Sequence, residues 1–193
     1  PVISYVKEIL KRINANRTNV TSVSSPIDKS LFENYKNAFI ETESSTNFTS
    51  IACKTASYKD ESSPLYIILS KIMTNEFLHD MVRVDIGAYG VWAIQNVELG
   101  IYEIDSFRDP SPTKCLEAFE KALDICANEE NITDDMVERA IMKVFSDFDS
   151  PESPSNKGYL DYDGKPKDLI QKRRNSVYNA TKQQIVEIAK FLK

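Results

Sequence analysis

Apolar positions recur along this chain at two different spacings, and the change from one to the other marks out its elements. Val2, Ile3, Val6, Ile9, Leu10 and Ile13 fall on one helical face, so a helix is predicted over Val2 to Ile13. Thr18 to Val23 reads as a short extended segment. Ser25-Pro26 then opens a second helix through about Phe39, since proline suits the first helical position. From Asn47 to Tyr58 the period falls to two, with Thr49, Ile51, Cys53 and Thr55 alternating with Phe48, Ser50, Ala52 and Lys54, as in a strand.

Ser63-Pro64 begins another helix, with Leu65, Ile68, Leu69, Ile72, Met73 and Phe77 on one face. It is expected to lie across a sheet and to end near His79. Two runs of β-branched and aromatic residues follow, Arg83 to Gln95 and Leu99 to Phe107, joined near Asn96 to Glu98 as a β-hairpin. Ser111-Pro112 starts a helix with Leu116, Phe119, Leu123 and Cys126 on one side. In the next, Thr133 is the cap, Asp134 and Asp135 load the first turn, and Ile132 can staple onto Val137. Its apolar face runs Val137, Ala140, Ile141, Val144, Phe145, Phe148. Ser150 to Asp163 is a candidate mobile loop. Two closing helices follow, the second opened by a Thr181/Gln184 capping box and carrying Ile185, Ile188, Ala189 and Leu192. The pattern predicts an α+β fold, a mostly antiparallel sheet with helices packed on one face, in a single domain spanning 1–193.

Composition narrows the chemistry. The chain has 193 residues, 41% hydrophobic and 27% charged, with a net charge of −5. That balance argues against a duplex-binding surface, which needs a clustered basic face. The densest basic stretch, Lys165 to Arg174, reads as a solvated helix end. The longest apolar run, Leu65 to Leu69, is far short of the ~20 residues that span a bilayer. Nucleic acid and membrane are therefore not expected partners. One histidine, His79, and three cysteines, Cys53, Cys115 and Cys126, offer no CxxC, H-E-x-x-H or H-x-x-E-H, so no self-contained metal site is expected. His79 has no second ligand at helical spacing and reads as a surface residue at a helix end. Cys115 and Cys126, eleven positions apart on one helix, lie roughly 16 Å apart, beyond the ~7 Å reach of a disulfide. All three cysteines are expected as buried or half-buried free thiols of an intracellular reducing compartment. The chain opens on Pro1 in mid-pattern without an apolar leader, and is read as a fragment of a longer polypeptide.

Only five glycines occur, and two fall in Gly87-Ala88-Tyr89-Gly90. Glycines in a strand mark a kink, a bulge or a close backbone approach. The stretch runs Arg83-Val84-Asp85-Ile86-Gly87-Ala88-Tyr89-Gly90. Downstream come Ser106-Phe107-Arg108-Asp109-Pro110, then Thr113-Lys114-Cys115-Leu116. These motifs resemble the C-terminal domain of pitrilysin/insulinase-type (inverzincin) zinc metallopeptidases, in the presequence protease and falcilysin branch. That branch has R-V-x-G-G-A-Y-G and S-Y-R-D-P at the corresponding places. Ser63-Pro64-Leu65-Tyr66, Leu78-His79-Asp80-Met81-Val82 and Lys157-Gly158-Tyr159 extend the likeness, which covers the chain from about Asn47 onward. The chain departs from the branch at Ile86, usually glycine, and at Phe107, usually tyrosine.

The resemblance implies a parent enzyme of two similar halves closing around a peptide. Zinc is held in the N-terminal half by two histidines of H-x-x-E-H and a distant glutamate. The C-terminal half supplies an arginine and a tyrosine, which carry over to Arg83 and Tyr89, with Gly87 and Gly90 as supporting backbone. This chain alone is thus expected to bind no metal and to be inactive, its partners being the N-terminal half of the same polypeptide and a peptide substrate.

On residue chemistry, an arginine offers several donors to a peptide carbonyl, and a tyrosine hydroxyl can donate to an oxyanion. On an extended strand the two would stand ~20 Å apart, so either the strand bends at the glycines or the two residues attend different parts of a substrate. The competing structural roles are an ion pair of Arg83 with Asp80 or Asp85 and a half-buried sheet position for Tyr89. Trp92 reads as core or chamber wall, and Arg108 and Asp109 as the turn into the next helix. The rival functions are a non-catalytic scaffold or peptide-binding subunit of the same fold, and a free-standing α+β binding module.

Overall fold

The computed structural model describes residues 2–15, 37–41, 43–151, 153, 159 and 163–193. The chain divides into two compact units, Pro1–Glu43 and Ser44–Lys193. In the first, helix α1 (Val2–Ala15) forms where the apolar stripe predicts it, with an Arg12–Glu8 ion pair one turn apart. The extended segment at Thr18 to Val23 and the helix from Pro26 lie outside the described residues, except that 37–39 are described and are not helical.

The second unit is a three-stranded antiparallel sheet in the order β1-β3-β2, where β1 is Asn47–Lys54, β2 is Gly90–Asn96 and β3 is Ile101–Asp109. Its helices are α2 (Ser63–Ile72), α3 (Pro112–Cys126), α4 (Asp134–Phe148), α5 (Lys167–Tyr178) and α6 (Lys182–Leu192). The α+β architecture is the one read from the sequence. Most of the Ser150 to Asp163 loop lies outside the described residues.

Alternation along the strands separates two faces. Val91, Ala93 and Gln95 of β2, Tyr102, Ile104 and Ser106 of β3 and Thr49 of β1 are buried. They face α2, α3 and the segment after α2. A second layer of α4, α5 and α6 packs on α2, so that Ile68, Leu69 and Ile72 are enclosed from both sides. Each such side chain contributes about 1.5–3 kcal/mol by leaving water. Ile132 and Val137 are both buried in this core, as the staple requires. Thr133 Oγ1 accepts from Met136 N–H at 3.2 Å, and the Thr181/Gln184 capping box is formed in both directions.

Two expectations are corrected. The helix begun at Ser63 does not end near His79. It continues as a π-helical segment, Met73–Ile86, and β2 begins only at Gly90 rather than at Arg83. Its buried side chains, Met73, Leu78 and Val82, are spaced by five and then four. That fits the wide turn of i→i+5 bonding and not the ~3.6 residues of an α-helix. The second correction is Cys53, which is exposed because β1 is an outer strand; Cys115 and Cys126 are buried.

Candidate functional site

Arg83 stands in the last turn of the π-helical segment, exposed, four residues before Gly87 closes it. Gly87 sits at φ 90°, ψ 23°, in the left-handed region that glycine enters without penalty. Both Gly87 and Ala88 N–H donate to Val82 O, which turns the chain sharply. Tyr89 N–H then donates to Phe107 O at 3.1 Å, fixing the tyrosine beside the end of β3. Arg83 and Tyr89 are thus separated by a helix end and a tight turn. The extended-strand spacing of ~20 Å does not apply, because the wide helical turn carries the chain past Arg83 before any strand begins.

Tyr89 is 68% exposed, so it is not a half-buried sheet residue. Its ring meets the edge of Phe107, with centroids 5.8 Å apart. Phe107 is the centre of a ring cluster, with Phe48 at 5.2 Å and Trp92 at 6.4 Å. Trp92 therefore lies on the open face of the sheet, outside the core. Register places Phe48 and Gly90 on either side of Phe107. A Cβ at Gly90 would come within 3.0 Å of Trp92 Cζ3, so this glycine makes room for the indole. Gly87 and Gly90 therefore serve the site in different ways, one by its torsion and the other by its bareness.

Neither Asp80 nor Asp85 pairs with Arg83; Asp80 instead lies 3.2 Å from His79 Nδ1. Among the described residues Arg83 has no ion pair and the Tyr89 hydroxyl no hydrogen-bond partner. An uncommitted cation and an uncommitted hydroxyl flank one turn.

The structure also gives Asp109 a role that the sequence did not show. It is fully buried, and its Oδ2 accepts from Thr49 Oγ1 at 2.8 Å and Ser106 Oγ at 2.6 Å. Its backbone oxygen accepts from Asn47 Nδ2, while Oδ1 has no partner. Burial, and then the charge of Asp109, pushes the Cys115 thiol up. Arg108, just before it, is left-handed at φ 52° and lies over the Phe107 ring at 5.6 Å. Asp109 thereby locks β1 to β3 beneath the rings.

The donor set does not fit zinc. His79 is exposed and engaged with Asp80, and among the described residues no three His, Cys, Asp or Glu side chains are grouped to hold a metal. No helix among them is long and apolar enough to cross a membrane.

The fold is shared with solved structures. A protease from Helicobacter pylori superposes with TM-score 0.68 at 13% identity, over 78% of this chain and 39% of that one. The inactive peptidase domain of a putative zinc protease from Bordetella parapertussis does so with TM-score 0.61 at 13% identity, over 78% and 88%. The fold is that of peptidase inactive domains, and the chain's own side chains supply no metal site among the described residues. Within that class, residues 39–192 match the model of the PreP C-terminal domain, and the chain belongs to this family.

Curated relatives agree. The mitochondrial presequence protease of Aspergillus fumigatus is 27% identical over 95% of this chain and 18% of its own length. That of Xenopus tropicalis is 35% identical over 70% and 13%, and that of Mus musculus 37% over 58% and 11%. The chain thus spans less than a fifth of the relatives it matches.

Proposed function

We propose that residues 1–193 act as the C-terminal, substrate-gripping part of a zinc metalloendopeptidase that degrades short unfolded peptides. In this reading zinc belongs to an N-terminal half of the same polypeptide, and this chain alone hydrolyses nothing. The observation that carries the reading is the pair Arg83 and Tyr89, both exposed and uncommitted on either side of the Gly87 turn. The guanidinium, a permanent cation with several donors, binds a peptide carbonyl or carboxylate. The Tyr89 hydroxyl donates to the oxyanion that grows on the scissile carbonyl, where a positioned donor acts on the transition state more than on the ground state. The mitochondrial relatives and the three free cysteines support a mitochondrial location.

The test is Arg83→Ala and Tyr89→Phe in the full-length polypeptide. Each is expected to lower peptide turnover, by about a hundredfold for the lost oxyanion donor, with zinc content unchanged. Near-normal kinetics in both variants would sink the assignment.

A further inference from the structure

The end of β3 departs from regular pairing at one place. Asn47 of β1 faces Asp109 and the next residue, Phe48, faces Phe107, so Arg108 is an extra residue with no partner on β1. This is a β-bulge, which shifts the alternation of side chains by one position. Tyr102, Ile104 and Ser106 face the core, and unbroken alternation would send Arg108 inward and Asp109 outward. The bulge reverses them: Arg108 is exposed and Asp109 is fully buried. Among the described residues Arg108 is the one residue other than glycine with a positive φ, a left-handed torsion that is costly for an arginine. What holds this strain lies on its far side. The buried hydroxyls of Thr49 and Ser106 converge on one oxygen of the Asp109 carboxylate, and Asn47 Nδ2 donates to its backbone oxygen at 3.1 Å. On the near side is Phe107, whose carbonyl accepts the Tyr89 N–H and whose ring packs against the Tyr89 ring.

We propose that Asp109 is a positioning residue for Tyr89: its buried carboxylate pins the bulge, the bulge fixes Phe107, and Phe107 sets where the tyrosine hydroxyl stands. The consequence for turnover rests on the reading of that hydroxyl as the oxyanion donor. Asp109 touches no substrate, because it is enclosed on the core side of the sheet. Tyr89 is 68% exposed, so little but Phe107 orients it. Once Phe107 is loosened the ring swings, and a displacement of about 1 Å is enough to forfeit much of a positioned group's contribution.

Two measurements test this. In the 193-residue chain, amide hydrogen exchange read by nuclear magnetic resonance compares Tyr89, which donates to Phe107 O, with Ala88, which donates to Val82 O on the helix side of the turn. Asp109→Ala is expected to speed exchange at Tyr89 by about tenfold while Ala88 changes by less than about twofold. Arg108→Gly, which enters the left-handed region freely, should keep Tyr89 protected. In the full-length polypeptide, Asp109→Ala should lower kcat for a peptide by about tenfold with KM within about twofold. Combined with Tyr89→Phe it should be no slower than Tyr89→Phe alone, whereas a general loosening of the fold would multiply the two effects. Asp109→Asn still accepts from both hydroxyls and should restore kcat to within about threefold. If Asp109→Ala does not fold, Thr49→Val removes one of the two donors and should show the same pattern at about a third of the size. Equal acceleration at Tyr89 and Ala88, continued protection of Tyr89, loss of protection in Arg108→Gly, multiplying effects or no recovery in Asp109→Asn each overturns the proposal. The two readings fail separately. Normal turnover by Tyr89→Phe removes the oxyanion role and leaves the exchange result to decide the positioning; impaired turnover by Tyr89→Phe with unchanged Tyr89 exchange in Asp109→Ala keeps the oxyanion role and removes the positioning.

Discussion

Replacing Gly87 by alanine isolates a backbone cost at the corner between Arg83 and Tyr89. A Cβ there meets nothing within 4 Å, so crowding adds nothing and the penalty is torsional. Holding alanine in the left-handed region costs about 1–2 kcal/mol. The smaller conformational freedom of the unfolded chain returns about 0.4–1 kcal/mol. A net loss of about 1 kcal/mol is expected, and about half of that for Gly87→Asn, since asparagine enters this region more readily. Urea unfolding followed by Trp92 emission and far-ultraviolet circular dichroism measures it as a lower midpoint at unchanged slope. Gly90→Ala is the control, because its added methyl presses on the indole at 3.0 Å and should alter Trp92 emission in the native state. If Gly87→Ala is as stable as the original chain, or Gly87→Asn costs as much as alanine, the torsional argument is wrong.

Two further outcomes test the scaffold. Arg174 donates to Asp149 at 2.6 Å and holds its carboxyl below the usual range. A lowered folded-state value means that the pair stabilises the fold above the ordinary carboxylate value of about 3.9 and loses that effect as pH falls toward the lower one. Asp149→Asn should therefore lower the thermal midpoint at pH 7, with the gap to the unaltered chain closing below about pH 4; an equal gap at pH 3 and pH 7 would refute the pairing. Burial pushes the Cys126 thiol up to about 12 and raises the Cys53 thiol as well, but Cys53 alone of the three is exposed to a reagent. Iodoacetamide at pH 8 should label Cys53 in the native chain and reach Cys115 and Cys126 only after denaturation, as read by mass spectrometry; equal rates would contradict the described burial.

Local rules were legible where the controlling partner is near in sequence. The caps at Thr133 and Thr181 need only residues three positions on, and the hairpin needs only its turn. After Ile72 a 3.6-residue period loses phase against buried positions spaced by five and four, so the pattern hides the continuing helix. Its last residues, Arg83 to Ile86, alternate polar and apolar as a strand does although they close the helix. Asp109 reads as part of a turn in the sequence because Thr49, one of the two hydroxyls that hold its carboxylate, comes from another strand 60 positions away and only the fold brings it there. Arg83 and Tyr89 were found by resemblance to a motif. Their uncommitted state needed coordinates, since nearby acidic residues made an ion pair an equally natural reading. The ring cluster was hidden for a similar reason: Phe48, Trp92 and Phe107 lie on three strands.

The strand order sets an order of assembly. β2 and β3 are joined by the tight turn at Val97–Gly100 and can close as a local hairpin. β1 reaches β3 only across the chain from Lys54 to Ile101, so its pairing carries the larger loop-closure cost. As an outer strand it is the piece that arrives last in folding and departs first in a partial opening. Phe48 travels with it, while Trp92 and Phe107 stay with the hairpin. A transiently opened molecule thus keeps two of the three clustered sheet rings and loses the third.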